Sequence, residues 1–242
     1  MASNDDPSYV TSLPAASYSI LTYSKLMKKF LPFAAVAALA VSLFTAQAEE
    51  AKDGWISLFN GKDLTGWKVN EESPAAFSVA DGALHIKGGR SHIFYAGEVQ
   101  GAKFRNFEFK AKVMTKKNAN SGIYFATAYQ KDGWPSKGYE CQVNNSFDKD
   151  PRRTGSLYAI KDVTEKLVPD DVWFDYHIKV QGPQITISIN GKTVTEYTEK
   201  EGDERKGGME GRWIKDGGTF AFQAHDPGCE AFYKDIMVKP LP

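Results

Sequence analysis

The sequence predicts an all-β protein in which two antiparallel sheets pack face to face as a sandwich, most simply a jelly roll. Three observations indicate this class. Many short segments alternate between apolar and polar residues, Gly, Asn and Asp stand between these segments, and helical periodicity is nearly absent. Because successive side chains point to opposite faces of a strand, such segments bury one face and expose the other.

The predicted strands run through the chain from residue 77 onward. Segment 107–113 alternates most strictly, with apolar residues against charged ones. Asp81-Gly82 and Asn190-Gly191 are dipeptides typical of hairpin turns, and each follows an alternating segment. The predicted strands are residues 77–79, 83–86, 107–113, 122–129, 138–143, 176–180, 185–189, 219–225 and 232–238.

The N-terminal 48 residues are predicted to lie outside this fold. Residues 1–26 show no periodicity and are interpreted as a disordered upstream extension, with Met27 as the true start. Residues 27–48 have the order of a secretory signal peptide: a basic start, an apolar run and an Ala-x-Ala cleavage pattern. The apolar run is shorter than the roughly 20 residues that a spanning helix needs. We therefore expect a periplasmic or secreted protein with no stable membrane anchor after cleavage, in which residues 49–242 form a single jelly-roll domain.

Charge and motif content exclude several classes of function, and the cysteines leave two structural alternatives open. The chain has 30 Lys and Arg against 30 Asp and Glu, interspersed, so no basic field favours a nucleic acid partner. P-loop, G-x-S-x-G, H-E-x-x-H and C-x-x-C motifs are absent from the sequence. Cys141 and Cys229 either pair or stay reduced and buried, and both readings remain open. No cofactor is indicated, and a divalent cation held by Glu140, His225 and nearby acids is left open.

The strongest candidate for a functional surface is the strand predicted at residues 138–143. Alternation sends Glu140 and Gln142 to the face opposite the apolar residues. Sandwich-fold retaining glycosidases carry an E-x-D-x-x-E strand, and here Gln142 and Asn145 replace two of its three carboxylates. Direct displacement, which needs two carboxyl groups about 5 Å apart, is therefore disfavoured. The simplest alternative is a solvated Glu140 on an outer face.

A second strand repeats this arrangement. In residues 219–225, Gln223 and His225 lie on the face opposite Phe220 and Phe222. His225 either titrates near neutral pH in a functional role or caps the strand through a structural hydrogen bond. Two strands that each present polar groups opposite an apolar face favour the functional interpretation.

Amide and aromatic side chains extend the candidate site. Asn120 enters a strand in which Tyr124 lies opposite apolar neighbours, so that its ring can support a sugar. Tyr158 is either a core residue or a similar platform. Of the five tryptophans, Trp134 in its Gly-Trp-Pro loop is predicted to be the most exposed. The polar loop 144–155 follows the Glu140 strand and is expected to border the same surface.

Taken together, these segments resemble the 3-keto-disaccharide hydrolase family, formerly a domain of unknown function in the concanavalin A-like lectin and glucanase superfamily. The resemblance extends from about residue 53 to the end of the chain. It rests on residues 58–67 (LFNGKDLTGW), 120–123 (NSGI), 138–142 (GYECQ), 154–158 (TGSLY), 189–191 (ING), 223–225 (QAH) and 231–239.

The resemblance implies a concanavalin A-like jelly roll that cleaves small carbohydrates whose sugar has been oxidised at carbon 3. The ketone acidifies the hydrogen on carbon 2, so that a base can remove it, the substituent on carbon 1 leaves, and water adds back. Glu140 and His225 are implied as the base and the acid, in an order that is left open. The implied and predicted substrate-binding residues are Gln142, Gln223, Asn120, Tyr124, Tyr158 and Asn145.

Three departures from the family pattern concern the substrate. Ala126 stands where the family often has Arg, Asn145 where it often has Asp, and Phe174 follows Trp173 where it has Asn. One rim of the site thus lacks a cation and an acid. The alternative is a non-catalytic carbohydrate-binding module on the same fold, because a fold does not fix a function.

Overall fold

The structure, a computed structural model, describes residues 50–203 and 210–242. The predicted upstream extension and signal peptide lie outside these residues. Within the two described ranges, no helix is both long and apolar enough to cross a bilayer. The helices found there are short 3₁₀ segments at Lys52–Gly54, Pro74–Ala76 and Val99–Ala102.

Strands account for most of the regular structure. All strands predicted from the sequence are present, and β1, β2, β3, β6 and β12 are additional to them. The strands are β1 (Glu50–Ala51), β2 (Trp55–Ser57), β3 (Trp67–Val69), β4 (Phe77–Ala80), β5 (Ala83–Lys87), β6 (Ser91–Tyr95), β7 (Phe107–Thr115), β8 (Ser121–Thr127), β9 (Tyr139–Val143), β10 (Phe174–Gln181), β11 (Gln184–Ile189), β12 (Lys192–Thr198), β13 (Thr219–Ala224) and β14 (Glu230–Pro240).

The strands form two antiparallel sheets. The larger sheet has nine strands in the order β1-β2-β14-β7-β10-β11-β12, and β5 also pairs with β14 and carries β4 on its other edge. The smaller sheet has five strands in the order β3-β6-β13-β8-β9. This arrangement confirms the all-β, two-sheet class predicted from the sequence.

The core lies between the two sheets and is rich in aromatic side chains. From the smaller sheet, Phe220 packs its ring 4.8 Å from that of Phe109 on β7, and Phe222 packs 4.5 Å from Tyr233 on β14. All four side chains are buried. Because these rings join one sheet to the other, their burial is a large part of what holds the sandwich together.

The two sheets differ in what covers their outer faces. Strand β7 of the larger sheet alternates between buried and partly exposed residues along its whole length, as a strand with one solvated face does. In the smaller sheet β6, β8, β9 and β13 are buried at every position. Loops therefore cover the outer face of the smaller sheet, and polar side chains on that face are held away from bulk water.

Replacing Phe220 with Ala tests the role of the aromatic core. The side chain is fully buried against three other Phe rings, so its removal should lower the free energy of unfolding by about 3–5 kcal/mol. Urea denaturation followed by tryptophan fluorescence measures the loss. Val172→Ala is the matched control, because half of that side chain is exposed, and it should change stability by less than about 0.5 kcal/mol. Equal losses in the two variants would contradict this account of the core.

Candidate active site

A cavity of about 630 Å³ lies on the outer face of the five-stranded sheet. This volume is within the range of small-molecule sites in proteins. Strands β8, β9 and β13 form its floor, and the loops that follow β8 and β9 form its walls. Its lining includes Asn120, Tyr124, Trp134, Glu140, Gln142, Asp150, Tyr158, Arg212, Gln223 and His225.

The floor is assembled by strand register. Tyr124 on β8 is paired with Glu140 on β9 and with Ala221 on β13, so that three neighbouring strands present side chains to the same face. Gln142 and Gln223 follow two residues further along their own strands. The alternation that placed Glu140, Gln142 and Gln223 on polar faces therefore brings them into one cavity.

The Glu140 carboxylate is at the centre of a closed hydrogen-bond network. The Tyr124 hydroxyl donates to Oε2 at 2.8 Å, and the Gln223 Nε2 donates to Oε1 at 3.0 Å. The same Gln223 nitrogen also donates to the Tyr124 hydroxyl oxygen at 2.9 Å. All three side chains are buried, so the network fixes the orientation of the carboxylate.

Gly122 provides the space that the carboxylate occupies. A Cβ atom at this position would lie 2.6 Å from the Glu140 Oε1, which is closer than non-bonded atoms approach. Gly122 is paired with Gln142 and lies between β9 and β13. The Glu140 side chain can thus cross β8 above a residue that has no side chain and reach Gln223 on the far strand.

Burial sets the protonation of Glu140. Removal of the carboxylate from water raises the pKa of Glu140 above its ordinary value. The Arg212 guanidinium, the hydrogen bonds from Tyr124 and Gln223, and the proximity of His225 oppose this increase. A carboxyl group with a raised pKa retains its proton at higher pH than an exposed one, which suits it to acid–base chemistry.

Three amide oxygens on the cavity lining have no hydrogen-bond partner. They are Asn120 Oδ1, Gln142 Oε1 and Gln223 Oε1, and all three are buried. An unsatisfied buried acceptor costs about 1–3 kcal/mol, so native structures rarely keep several together. The arrangement suits a ligand that carries several hydroxyl donors.

His225 is placed at the rim of the cavity. Its Nδ1 is 2.9 Å from the Asp226 Oδ2, and donation to this carboxylate leaves Nε2 with a free lone pair. Trp134, which is 41% exposed, packs its ring 5.1 Å from the imidazole.

Another histidine, His92, is buried beside Tyr124 and Trp134, and burial lowers its pKa to about 3. His92 is therefore neutral at physiological pH.

Arg212 and Asp150 are among the cavity residues that were not predicted as site residues. Arg212 is buried, and its guanidinium carbon lies 5.8 Å from the centre of the Tyr124 ring. Asp150 accepts hydrogen bonds from the Gln142 amide at 3.3 Å and from the Arg152 backbone at 2.9 Å. Both lie in loops, where side-chain alternation gives no signal. Arg212 supplies a cation from a different segment than the position of Ala126, where the family often has Arg.

Asn145 lies apart from the other predicted site residues. Strand β9 ends at Val143, and Asn145 is three residues from Gln142, so strand alternation itself directs it to the face opposite the cavity. Its Nδ2 donates to Thr115 Oγ1 at 2.7 Å, and its Oδ1 accepts from Thr154 Oγ1 at 2.6 Å. Asn145 thus anchors the loop after β9 and is absent from the cavity lining.

Tyr158 lies in the cavity wall, and the cysteines lie elsewhere. The Tyr158 ring is half-buried beneath the Arg152 guanidinium, 4.7 Å away.

Cys141 and Cys229 are both buried and free, which decides the alternative that the sequence left open. Among the residues that the structure describes, no three His, Cys, Asp or Glu side chains are grouped closely enough to hold a metal ion.

Comparisons with known proteins agree with this geometry. The family model of the 3-keto-alpha-glucoside-1,2-lyase-like domain matches residues 54–239. The chain belongs to this family. A curated relative, the 3-keto-disaccharide hydrolase of Bacteroides thetaiotaomicron, is 26% identical over 208 residues, which cover 76% of this chain and 68% of the relative. The family resemblance drawn from the sequence motifs is thereby confirmed.

Solved structures share the fold of the family. A crystal structure of a glycosyl hydrolase candidate from Parabacteroides distasonis has a TM-score of 0.65 and 24% identity, covering 78% of this chain and 94% of that one. The carbohydrate-binding module CBM66 from Bacillus subtilis has a TM-score of 0.52 and 11% identity, covering 73% and 96%. At these identities the similarities establish the architecture, and the chemistry must be argued from the site.

Glu140→Gln is expected to stabilise the protein at neutral pH. Because the pKa of Glu140 is raised in the native state, the native state binds this proton more tightly than the unfolded chain does. This tighter proton binding stabilises the native state at pH values below the pKa of the unfolded chain. The stabilisation is lost as pH rises through the pKa of Glu140 in the native state. Urea denaturation should therefore show the variant gaining on the wild type as pH increases from about 4 to 7.

The exposed Glu196 provides the control for this effect. Glu196→Gln removes a carboxylate from the surface strand β12 and should give a difference from the wild type that is nearly independent of pH. A Glu140→Gln difference that stays constant or shrinks as pH rises would contradict the raised pKa.

Proposed function

We propose that this protein cleaves glycosides whose sugar carries a ketone at carbon 3, by elimination followed by addition of water. One observation carries the proposal. The buried Glu140 carboxyl group, whose pKa is raised, shares a cavity with His225 and with three amide oxygens that lack hydrogen-bond partners. Membership of the 3-keto-alpha-glucoside-1,2-lyase-like family and the name of the curated relative support this substrate class.

The reaction divides into two balanced steps. A base takes the proton from carbon 2, the electron pair of that C–H bond forms the carbon 1–carbon 2 double bond, and the carbon 1–oxygen bond breaks. The departing oxygen takes a proton from an acid. Water then adds its oxygen to carbon 1 and a proton returns to carbon 2. The net change is hydrolysis, and no carboxylate nucleophile is required.

His225 is suited to the role of base. Its Nδ1 is held by Asp226, so the Nε2 lone pair is available to accept a proton, and the carboxylate stabilises the imidazolium that forms. Trp134 packs beside the imidazole and offers a ring face on which the keto sugar can stack.

Glu140 is suited to the role of acid. Burial favours its protonated form, and its two oxygens accept hydrogen bonds from Tyr124 and Gln223, which leaves the acidic proton free to point to the substrate. After the proton is transferred, Arg212 stabilises the carboxylate that remains. Glu140 can then receive a proton from the incoming water.

The amide side chains hold the sugar in a fixed position relative to Glu140 and His225. Asn120, Gln142 and Gln223 each present an unsatisfied oxygen to the cavity, and hydroxyl groups of a sugar are the donors that would satisfy them. Asp150 fixes the Gln142 amide through its nitrogen, so that the oxygen is the free end. Such positioning contributes to the rate because both proton transfers need a defined sugar orientation.

The reaction in deuterium oxide tests the elimination route. Methyl 3-keto-glucoside should be cleaved, and the 3-keto sugar released should carry deuterium at carbon 2, detected by proton NMR and mass spectrometry. Unoxidised methyl glucoside should not be cleaved, because its carbon 2 hydrogen is not acidic. Full retention of the carbon 2 hydrogen, together with no kinetic isotope effect for substrate deuterated at carbon 2, would overturn elimination in favour of displacement. The 3-keto product incubated without enzyme controls for spontaneous exchange.

Glu140→Gln and His225→Ala are each expected to lower kcat by about 10²–10⁴-fold, the range that positioned acids and bases supply. Binding of methyl 3-keto-glucoside, measured by calorimetry, should persist in Glu140→Gln because an amide keeps the shape of the side chain. The control is Glu196→Gln, which is remote from the cavity. Full activity in both site variants would refute the assignment of the site, and a wild type that binds without turnover would favour a carbohydrate-binding module.

Arg212→Met is expected to move one limb of the pH–rate profile. Arg212 lowers the pKa of Glu140, so its removal should raise that pKa further. If Glu140 acts as the acid, kcat falls as pH rises through its pKa, and the descending limb should shift to higher pH in the variant. A shift of the ascending limb instead would make Glu140 the base and reverse the two roles.

A further inference from the structure

A second pocket of about 680 Å³ lies on the same face of the five-stranded sheet as the first. Phe94 of β6 and Thr127 of β8 contribute to its lining, together with Tyr129 and Trp213 from the covering loops. None of these four residues takes part in the acid–base site. The function proposed above therefore leaves a cavity of comparable size unexplained.

The two pockets are neighbours along the same strands. On β13, Gln223 lines the first pocket and Thr219 lines the second, and four residues of a strand span about 13 Å. Tyr124 of the first pocket packs against Phe94 of the second in a small cluster on this outer face. In the covering loop, Arg212 lines the first pocket and Trp213 lines the second. The two pockets are therefore adjacent along one face of the sheet.

The lining of the second pocket combines four aromatic side chains with small residues and with the charged Lys103, Lys137 and Asp216. Phe94 is buried, and the Tyr129 ring packs edge-on against it at 5.4 Å. Tyr129 is nevertheless 38% exposed. Within the described ranges, few large hydrophobic side chains are exposed to this extent. Trp213 adds another ring. Such rings offer faces and edges to a flat apolar group.

One buried hydroxyl in this pocket lacks a partner. Thr127 Oγ1 has no hydrogen-bond partner although Thr127 is only 2% exposed. The pairing of β8 with β13 shifts register between Thr219 and Ala221, and Ala126 has a φ of 51°. Because of this irregularity, the consecutive residues Ala126 and Thr127 both line the pocket instead of pointing to opposite faces.

We infer that the second pocket receives the leaving group of the glycoside, and that this group is an aromatic ring that carries a hydroxyl. The inference rests on the proposed function. Glu140 lies between His225 and the second pocket along the face, which is where an acid must be to protonate an oxygen leaving in that direction. The aromatic side chains of the lining offer ring faces and edges to such a group, and the Thr127 hydroxyl is the buried polar atom that lacks a partner.

Filling the pocket tests the inference. Ala128 is exposed and lines the second pocket, so Ala128→Trp should block it without disturbing the core. We expect kcat/KM for phenyl 3-keto-glucoside, divided by that for methyl 3-keto-glucoside, to fall about tenfold relative to the wild-type ratio. Comparing ratios removes the intrinsic difference between the two leaving groups. Ala75→Trp, at an exposed position that lines neither pocket, is the control and should keep the wild-type ratio.

The outcomes separate this inference from the proposed function. If the wild type cleaves neither substrate, the proposed function fails. If it cleaves both and Ala128→Trp leaves the ratio unchanged, the second pocket does not hold the leaving group. If Ala128→Trp reduces cleavage of a 3-keto-disaccharide more than that of the phenyl substrate, the occupant is a sugar ring and the aromatic assignment is overturned.

Thr127→Val provides an independent readout. The substitution removes the unsatisfied hydroxyl at nearly constant volume. We expect a several-fold loss of kcat/KM for a hydroxyphenyl 3-keto-glucoside and no comparable loss for the phenyl one. If Thr127 has only a structural role, the substitution should lower kcat/KM equally for both substrates. That result would contradict the hydroxyl contact.

Discussion

The structure places a carboxyl group where water cannot easily reach it and builds the surrounding sheet to accept it. Glu140 projects from the outer face of β9, crosses Gly122, and is held by Tyr124 from β8 and by Gln223 from β13, the strand beyond it. Burial of such a group costs free energy, which hydrogen bonds and a nearby guanidinium offset in part. Much else follows from this arrangement: a glycine on the middle strand, amides opposite it, and loops that seal the face.

The sealed face distinguishes the two sheets in chemical terms. The larger sheet follows the ordinary rule of one buried and one solvated face, and its sequence accordingly alternates. The smaller sheet has polar groups on a face that loops cover, so hydrogen bonds formed there are stronger than on an open surface. The sandwich thus acts as a rigid support, and the covering loops enclose a cavity on one of its faces.

The sequence revealed what depends on alternation and missed what depends on loops. Strand β7 was evident from its pattern, and Gln223 and His225 were found because they share a phase opposite Phe220 and Phe222. Strand β6 was not found, and the structure shows it buried at every position. Arg212 and Asp150 enter the cavity from loops, where local sequence does not specify direction. Asn145 was assigned to the site from its position in the E-x-D-x-x-E comparison, although strand alternation gives it the phase of the apolar residues Cys141 and Val143.

The loop that follows β8 has a consequence for how this site can change. It carries Tyr129 to the second pocket and Trp134 to the first, five residues apart. Between them, Gln130 braces the loop: its side chain donates to the backbone of Asp132 and Trp134 and accepts from that of Ser136. One short surface segment therefore shapes both ends of any ligand that spans the face. A change of loop length there would alter both pockets in a single evolutionary event, while the sheet beneath them stays unaltered.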